Sequence, residues 1–372
     1  MKGGICFLGN AASIHTQRWA SYFAERDWKV DLITWHRPLK STGIHESIGI
    51  HRVYIPPHYL ARYGTLLEII RLLHKIHPDI IHAHYINTFG ILAGLYSRLC
   101  GFRPIILTAW GSDVLVDPKK SEMFRRKLQR LAVHQADLIT CDAEHMIEVL
   151  TRLGAAPEKI ELVYFGTDTG KFQPGKKNPE LLKKLGLTGS PVVISLRSFT
   201  PIYDVESLIK AIPFVLKEVS GVDFVIAGDG PQRSYLENLA GELGVLDYVR
   251  FVGWIANEEL PVFLNLADIY VSTSLSDAGL AASTAEAISC GLPVIVTDFG
   301  DNRKWVEDGV SGFVVPLQNP EALAEKILYL LRDEGKRQEF GRIGRQIIVE
   351  RNNRDKEMGK MEALYIKTIE KY

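Results

Sequence analysis

Along the first half of the chain, short runs of Ile, Leu and Val alternate with longer stretches whose apolar residues recur at helical spacing. Residues 3–8 read as a buried strand and Gly9-Asn10 as the turn after it. Residues 15–25 read as a helix with Trp19, Tyr22 and Phe23 on its apolar face. The same alternation predicts strands over 29–34, 51–55, 79–84, 105–110 and 138–141, with helices near 66–76, 90–100 and 122–135. Continuous apolar strands between helices indicate a parallel sheet covered on both faces. Ligands of such sheets bind beyond the carboxyl ends of the strands.

A polar, Gly- and Pro-containing stretch at 169–177 interrupts the pattern and is the expected boundary. After it the alternation restarts, with strands over 192–196, 223–227, 249–252, 269–274 and 293–297 and helices over 205–219, 232–243 and 258–266. From Pro320 onward the chain reads as helical, and Met361, Leu364, Tyr365 and Ile369 fall at helical spacing near its end. The expected organisation is therefore α/β. It consists of two doubly wound parallel-sheet, Rossmann-like domains facing across a cleft, over 1–168 and 169–354, with a helix at 355–372 packing back on the first.

Composition narrows the function. Lys plus Arg and Asp plus Glu both number 44, so there is no basic field, and nucleic acid is not the expected partner. The four cysteines (Cys6, Cys100, Cys141, Cys290) show no paired or metal-ligand spacing, which fits a reducing, cytoplasmic setting. The chain enters its first strand without a cleavable signal, and no apolar run reaches the roughly 18 residues that would span a bilayer. Peripheral contact with the inner face of a membrane stays open.

The chemistry gathers at 269–296. There a strand, a polar glycine-containing loop, a small-residue helix carrying Glu286 and a second strand follow one another. Amides of Gly279, Leu280 and Ala281 precede the helix and suit an anion such as a diphosphate. Glu286 sits among Ala, Ile, Ser and Cys, where a buried carboxylate needs donors such as ribose hydroxyls; a solvent-facing or capping glutamate is the plainer alternative. Arg197, with Ser198, ends a strand, and there a guanidinium can hold a diphosphate or make a surface ion pair. Gly253-Trp254 ends another strand, placed to meet a nucleobase. Gly228-Asp229-Gly230-Pro231 fails the G-x-G-x-x-G pattern and reads as a tight turn. In the first half, three strand-end clusters share one edge: Gly9 to His15, His82 to Tyr85, and Thr108 to Asp113 with Trp110. Their histidines can hydrogen-bond a hydroxyl, change charge or simply pack, and Asp113 can orient a sugar or cap a turn.

Several of these motifs, in this order, resemble the retaining glycosyltransferases of family four, which have the GT-B architecture. They are the Gly9 loop, His82-x-His84, Gly111-Ser112-Asp113, the segment from Val163 to Pro174 (similar to V-x-x-x-G-x-D-x-x-x-F-x-P), Gly228 to Pro231, Glu286-Ala287 through Gly291-x-Pro293-Val294, and Glu307 to Phe313. The resemblance implies that the second domain binds a nucleotide-diphosphate sugar and the first an acceptor. Glu286 matches the second glutamate of E-x7-E, Arg197 the diphosphate arginine, and Gly279 and Leu280 the donor loop. Three positions depart from the family. Ala278 stands where the first glutamate belongs, with Asp277 beside it. Pro201-Ile202-Tyr203-Asp204 replaces the lysine expected after Arg197. Trp110 stands where many relatives have histidine.

The mechanism this implies is metal-independent transfer with retention, with no cofactor beyond the nucleotide sugar as co-substrate. Asp277 orients sugar hydroxyls, Glu286 fixes the ribose, and Arg197 and the Gly279 amides stabilise the leaving diphosphate. Gly253 and Trp254 complete the donor side. Gly9, His15, His84, Trp110 and Asp113 form the acceptor side, and His84 joins Asp277 and Arg197 as the catalytic group. Closure about 166–175 excludes water. The expected acceptor is a glycan, a lipid-linked sugar or a small molecule. Two rivals stand beside it: a nucleotide-sugar epimerase of the same architecture, and, from another class, a non-catalytic nucleotide-sugar-binding subunit.

Overall fold

The computed structural model of the chain describes residues 2–36, 44–54, 65–111, 113–115, 123–187, 190–277 and 279–372. It divides into two compact units, Met1–Phe165 with Lys356–Tyr372, and Gly166–Asp355.

The first unit runs β1 (Gly4–Leu8), α1 (Ile14–Ala24), β2 (Lys29–Thr34), β3 (Gly49–Arg52), α2 (Leu66–Ile76) and β4 (Ile80–His84). It continues through α3 (Thr88–Cys100), β5 (Ile105–Ala109), α4 (Met123–Gln135), β6 (Leu138–Cys141), α5 (Glu144–Leu153) and β7 (Ile160–Leu162). Its sheet has the order β3-β2-β1-β4-β5-β6-β7 and is parallel throughout. The register sets Leu8 opposite Ala83 and His84 opposite Thr108, so the residues following β1, β4 and β5 share one edge. The central strands β4 and β5 are buried at every position because helices cover both faces. The third strand begins at Gly49, ahead of the expected 51–55, and Ile55 lies outside the described residues. Its burial alternates, as befits an edge strand, so no continuous apolar run marks it.

The second unit contains α6 (Pro179–Lys184), β8 (Val192–Leu196), α7 (Val205–Glu218), β9 (Asp223–Ala227), α8 (Arg233–Glu242), β10 (Val249–Gly253), α9 (Leu260–Leu264) and β11 (Ile269–Ser272). It continues through α10 (Ala282–Ser289), β12 (Val294–Thr297), α11 (Asn302–Trp305), β13 (Gly312–Val315), α12 (Pro320–Arg332) and α13 (Glu334–Arg351). Its sheet is β10-β9-β8-β11-β12-β13, again parallel. Val193, Phe224, Ile226, Ile269 and Val271 on the sheet and Ile209, Ile212 and Ile327 on the helices belong to one buried core.

The chain leaves the first unit at Phe165 and returns to it after Asp355. Within the second unit these two ends are joined. Thr167 N–H donates to the Asn352 carbonyl at 2.7 Å, Arg354 N–H to the Thr167 carbonyl at 2.9 Å, and Arg354 pairs with Asp168 at 2.7 Å. Gly166 has φ +80°, and a Cβ there would stand 2.7 Å from Arg354 Cα, so glycine alone fits. The final helix α14 (Arg354–Ile369) buries Met358, Met361 and Tyr365. Tyr365 packs edge-on against Phe23 and Trp28 of the first unit. No helix among the described residues is long and apolar enough to cross a membrane.

Candidate functional site

The second unit concentrates charge at the carboxyl end of β8. Arg197 follows that strand and is 8% exposed. Its Nη2 donates to Asp277 Oδ1 at 2.6 Å and its Nη1 to Ser283 Oγ at 3.4 Å, while the guanidinium carbon lies 4.2 Å from the Tyr203 ring centroid. Burial works against the charge, but Asp277 and the surrounding phenols outweigh it and raise the Arg197 pKa. Tyr270, in β11, donates its hydroxyl to Ser283 Oγ at 2.9 Å. The buried cation is thus held on one edge by a carboxylate, on its face by a ring and at a second nitrogen by a hydroxyl.

Ser283 lies in the first turn of α10. That turn begins at Ala281 without a side-chain cap and carries no acidic residue, so its leading N–H groups keep their capacity for an anion. Glu286 is 3% exposed and one turn further along. Residues three apart on a helix are neighbours on its surface, so Glu286 and the Ser283–Arg197 contact belong to one face. Gly279 is buried and Leu280 half-buried in the loop leading to α10; Ala278 lies outside the described residues.

Gly228 and Gly230 brace Arg197. A Cβ on Gly228 would lie 2.1 Å from the Arg197 carbonyl oxygen, and one on Gly230 would lie 2.5 Å from that of Phe199. Gly228 N–H donates to the Gly253 carbonyl at 2.9 Å, linking the ends of β9 and β10. Gly253 has φ +74°, and Trp254 beyond it is 67% exposed. The turn read from sequence as merely tight therefore sets the backbone from which Arg197 projects.

In the first unit, Gly9 lets α1 close on the sheet, because a Cβ there would meet Thr16 Cγ2 at 2.9 Å. His15 stacks on Trp110 with centroids 4.6 Å apart and meets Phe165 edge-on at 4.3 Å. His84 is fully buried among Phe7, Trp19 and Trp110, with Nδ1 3.2 Å from Thr16 Oγ1. Burial lowers the pKa of both His15 and His84 to about 3, so both rings are neutral at physiological pH. His82 is equally buried, with Nδ1 2.5 Å from the Tyr365 hydroxyl and Nε2 2.6 Å from Thr108 Oγ1. Of the two roles open to Asp113, the structure shows the turn-organising one. Its carboxylate accepts from Ile86 N–H at 2.6 Å and Trp110 N–H at 3.1 Å, and burial raises its pKa to about 6. Ser112 lies outside the described residues.

The structure thus brings Arg197, Asp277, Ser283 and α10 with Glu286 together in one unit. It gathers His15, His84 and Trp110 in the other. Sequence reasoning missed Tyr203, Tyr270 and Ser283. A phenol inside the apolar run Ile269-Tyr270-Val271, and the tyrosine in the segment replacing a lysine, were the available signals. No group of three or more metal-ligating side chains occurs among the described residues.

Comparison with known proteins gives this arrangement its class. The family model described as glycosyl transferases group 1 matches residues 177–347, and the one described as glycosyl transferase 4-like matches 4–143. The chain belongs to the glycosyltransferases of family four, which have the GT-B fold. It is 24% identical to the N-acetyl-alpha-D-glucosaminyl L-malate synthase of Bacillus anthracis over 98% of this chain and 96% of that protein. It is 28% identical to the GDP-mannose-dependent alpha-(1-6)-phosphatidylinositol monomannoside mannosyltransferase of Mycobacterium tuberculosis over 72% of each. Among solved structures, Anabaena HepE in complex with UDP-glucose matches with a TM-score of 0.80 at 20% identity, covering 97% of this chain and 99% of that one.

Proposed function

We propose that this glycosyltransferase moves a hexosyl group from a nucleotide-diphosphate sugar to an acceptor hydroxyl with retention of configuration, in cytoplasmic glycan, glycolipid or polysaccharide synthesis. The observation that carries the reading is the buried Arg197 beside Asp277 and the uncapped start of α10, one turn from Glu286. A cation and orphan amides at one place suit a diphosphate, and a buried carboxylate one turn on suits the ribose of the same molecule. The similarity to the mycobacterial mannosyltransferase, which is GDP-mannose-dependent, supports a nucleotide-sugar donor.

In this reading Glu286 holds the ribose, Gly253 and Trp254 border the base, and Gly279 and Leu280 contact the donor through their amides. Arg197 and the first turn of α10, rather than a metal ion, stabilise the diphosphate as the glycosidic bond breaks. Asp277 orients the sugar, and the acceptor oxygen attacks on the face the diphosphate leaves. Gly9, His15, His84, Trp110 and Asp113 shape the acceptor side; His84 acts there as a neutral group.

The test is a panel of UDP-, GDP- and ADP-sugars incubated with and without cell-derived acceptors, read by product analysis. Transfer that needs both partners, with the donor's anomeric configuration kept, and that is lost in Glu286→Ala and Arg197→Ala, supports the proposal. Conversion of donor without acceptor makes the protein an epimerase, and affinity without turnover makes it a binding subunit. Undiminished transfer in both variants removes the site assignment.

A further inference from the structure

Helix α10 is held at its far end by a group that the donor reading does not use. Arg345, on α13, donates through Nη1 to the Ser289 carbonyl, the last of the helix, and to the Phe172 carbonyl at 3.0 Å. Its Nη2 reaches the Thr169 carbonyl at 3.4 Å. Ser289 is fully buried and donates its own hydroxyl to the same Phe172 carbonyl at 2.6 Å. Around this knot the backbone of Gly341 meets that of Gly291, and Gly344 makes room for the Ile288 side chain. A Cβ on Gly341 would stand 1.9 Å from the Gly291 carbonyl oxygen, and one on Gly344 would stand 2.9 Å from Ile288 Cγ2.

Two physical consequences follow. A guanidinium at the carboxyl end satisfies carbonyls that have no intrahelical partner and complements the negative end of the helix dipole. The amino end, by contrast, is left without a cap, open to an anion. Glu286 lies three residues before Ser289, so whatever fixes Ser289 against residues 169–172 fixes the axial position and rotation of the turn bearing Glu286. An ordinary structural arginine would tie two elements together. This one ends on the turn next to a carboxylate that must meet two hydroxyls within a few tenths of an ångström.

We infer that Arg345 is a positioning residue for nucleotide recognition: by clamping the Ser289 end of α10 to the 169–172 segment, it holds Glu286 in register with the ribose. The inference rests on the proposed role of Glu286 and deepens it. It also explains why mid-helix glycines, which cost helix stability, stand at 341 and 344: they bring α13 close enough for Arg345 to reach the carbonyls.

The test uses the full chain and compares binding of a ribonucleoside diphosphate with its 2′,3′-dideoxy form, taking whichever of UDP, GDP or ADP binds tightest. Losing hydrogen bonds to a charged group is worth about 10- to 100-fold in affinity, which sets the preference expected of the wild type. Glu286→Gln is expected to abolish most of that preference, and Arg345→Met to shrink it by about threefold or more, with Arg345→Lys between Arg345→Met and wild type. A general loss of fold would weaken both ligands together and leave their ratio unchanged. If Arg345→Met does not fold, the same ratio is read in Arg345→Lys and in Ser289→Ala. A full ribose preference in the folded Arg345 variants, alongside its loss in Glu286→Gln, overturns the inference alone. A full preference in Glu286→Gln overturns the reading of Glu286 on which it rests.

Discussion

Arg197 donates to Asp277 Oδ1 at 2.6 Å, an ion pair between side chains 7% and 16% exposed. The two residues were expected to serve different parts of one ligand, phosphate and sugar. Here the carboxylate already occupies an edge of the guanidinium that a diphosphate would use. An arriving diphosphate must share Arg197 with Asp277 and tolerate a like charge beside it. Replacing Asp277 with Asn removes the competing charge and is expected to tighten nucleoside-diphosphate binding about three- to tenfold. On the proposed role of Asp277 in orienting the sugar, the same change is expected to slow transfer. Calorimetric titration and initial rates measure the two effects; weaker nucleotide binding would show that Asp277 holds the ligand rather than contending for the arginine.

Tyr203 faces the same guanidinium at 4.2 Å. A desolvated cation–π contact is worth about 1–2 kcal/mol, so Tyr203→Leu is expected to lower kcat/KM for the donor by about 5- to 30-fold. Tyr203→Phe keeps the ring and leaves kcat/KM close to wild type. If the phenylalanine variant falls as far as the leucine one, the hydroxyl rather than the ring face is what the donor requires.

Burial keeps His15, His82 and His84 neutral, their pKa values lowered to about 3 for His15 and His84 and well below the usual value for His82. In the unfolded chain each takes up a proton near pH 6.5. Between pH 6.5 and about 3 the unfolded state therefore binds more protons, and stability falls as the pH falls, by up to about 1.4 kcal/mol per pH unit for each ring. Asp113 works in the opposite sense. With its pKa raised to about 6, it is protonated in the folded state and ionised in the unfolded state between about pH 4 and 6, and this offsets one histidine. Thermal unfolding is expected to occur at lower temperature at pH 5 than at pH 7. His84→Phe should flatten that slope by about one proton; an unchanged slope would mean that His84 is charged in the folded protein.

The Tyr365 hydroxyl lies 2.5 Å from His82 Nδ1, and both residues are fully buried. Tyr365→Phe leaves that nitrogen without its partner and is expected to destabilise the first unit by about 1–3 kcal/mol. Denaturant unfolding followed by tryptophan fluorescence reports it, since Trp19 and Trp28 lie within 6 Å of the His82 and Tyr365 rings respectively. No change in midpoint would show that the contact contributes nothing.

The parts of the fold legible in the sequence are those where burial is complete. Strands such as β4, β5, β8 and β9 are buried at nearly every position and stand out as apolar runs. The edge strand β3 and the three-residue β7 are half exposed and carry little such signal. β3 was expected two residues late, at 51–55, while β7 and the helix α5 between Glu144 and Leu153 were not anticipated, although the amphipathic spacing of α5 is clear once its ends are known. In the site, Arg197 and Glu286 were legible because a cation at a strand end and a carboxylate on a small-residue helix are unusual locally. The Arg197–Asp277 pair was not. It joins residues 80 positions apart and depends on how β11 lies against β8, with Tyr270 opposite Ile194. Likewise Gly228 and Gly230 carry no local sign that their missing side chains make room for the Arg197 and Phe199 carbonyls.

The first unit is assembled from both ends of the sequence, with Lys356–Tyr372 added to Met1–Phe165. During synthesis, the whole of Gly166–Asp355 is made before Tyr365, the partner of His82 Nδ1. Domains ordinarily fold in order of synthesis, but here the earlier one waits, its histidine and aromatic cluster incomplete, while the later one can mature. Released chains truncated shortly before Tyr365 would thus carry the whole second unit and a first unit whose buried His82 lacks its phenol, and such chains are where a chaperone has most to protect.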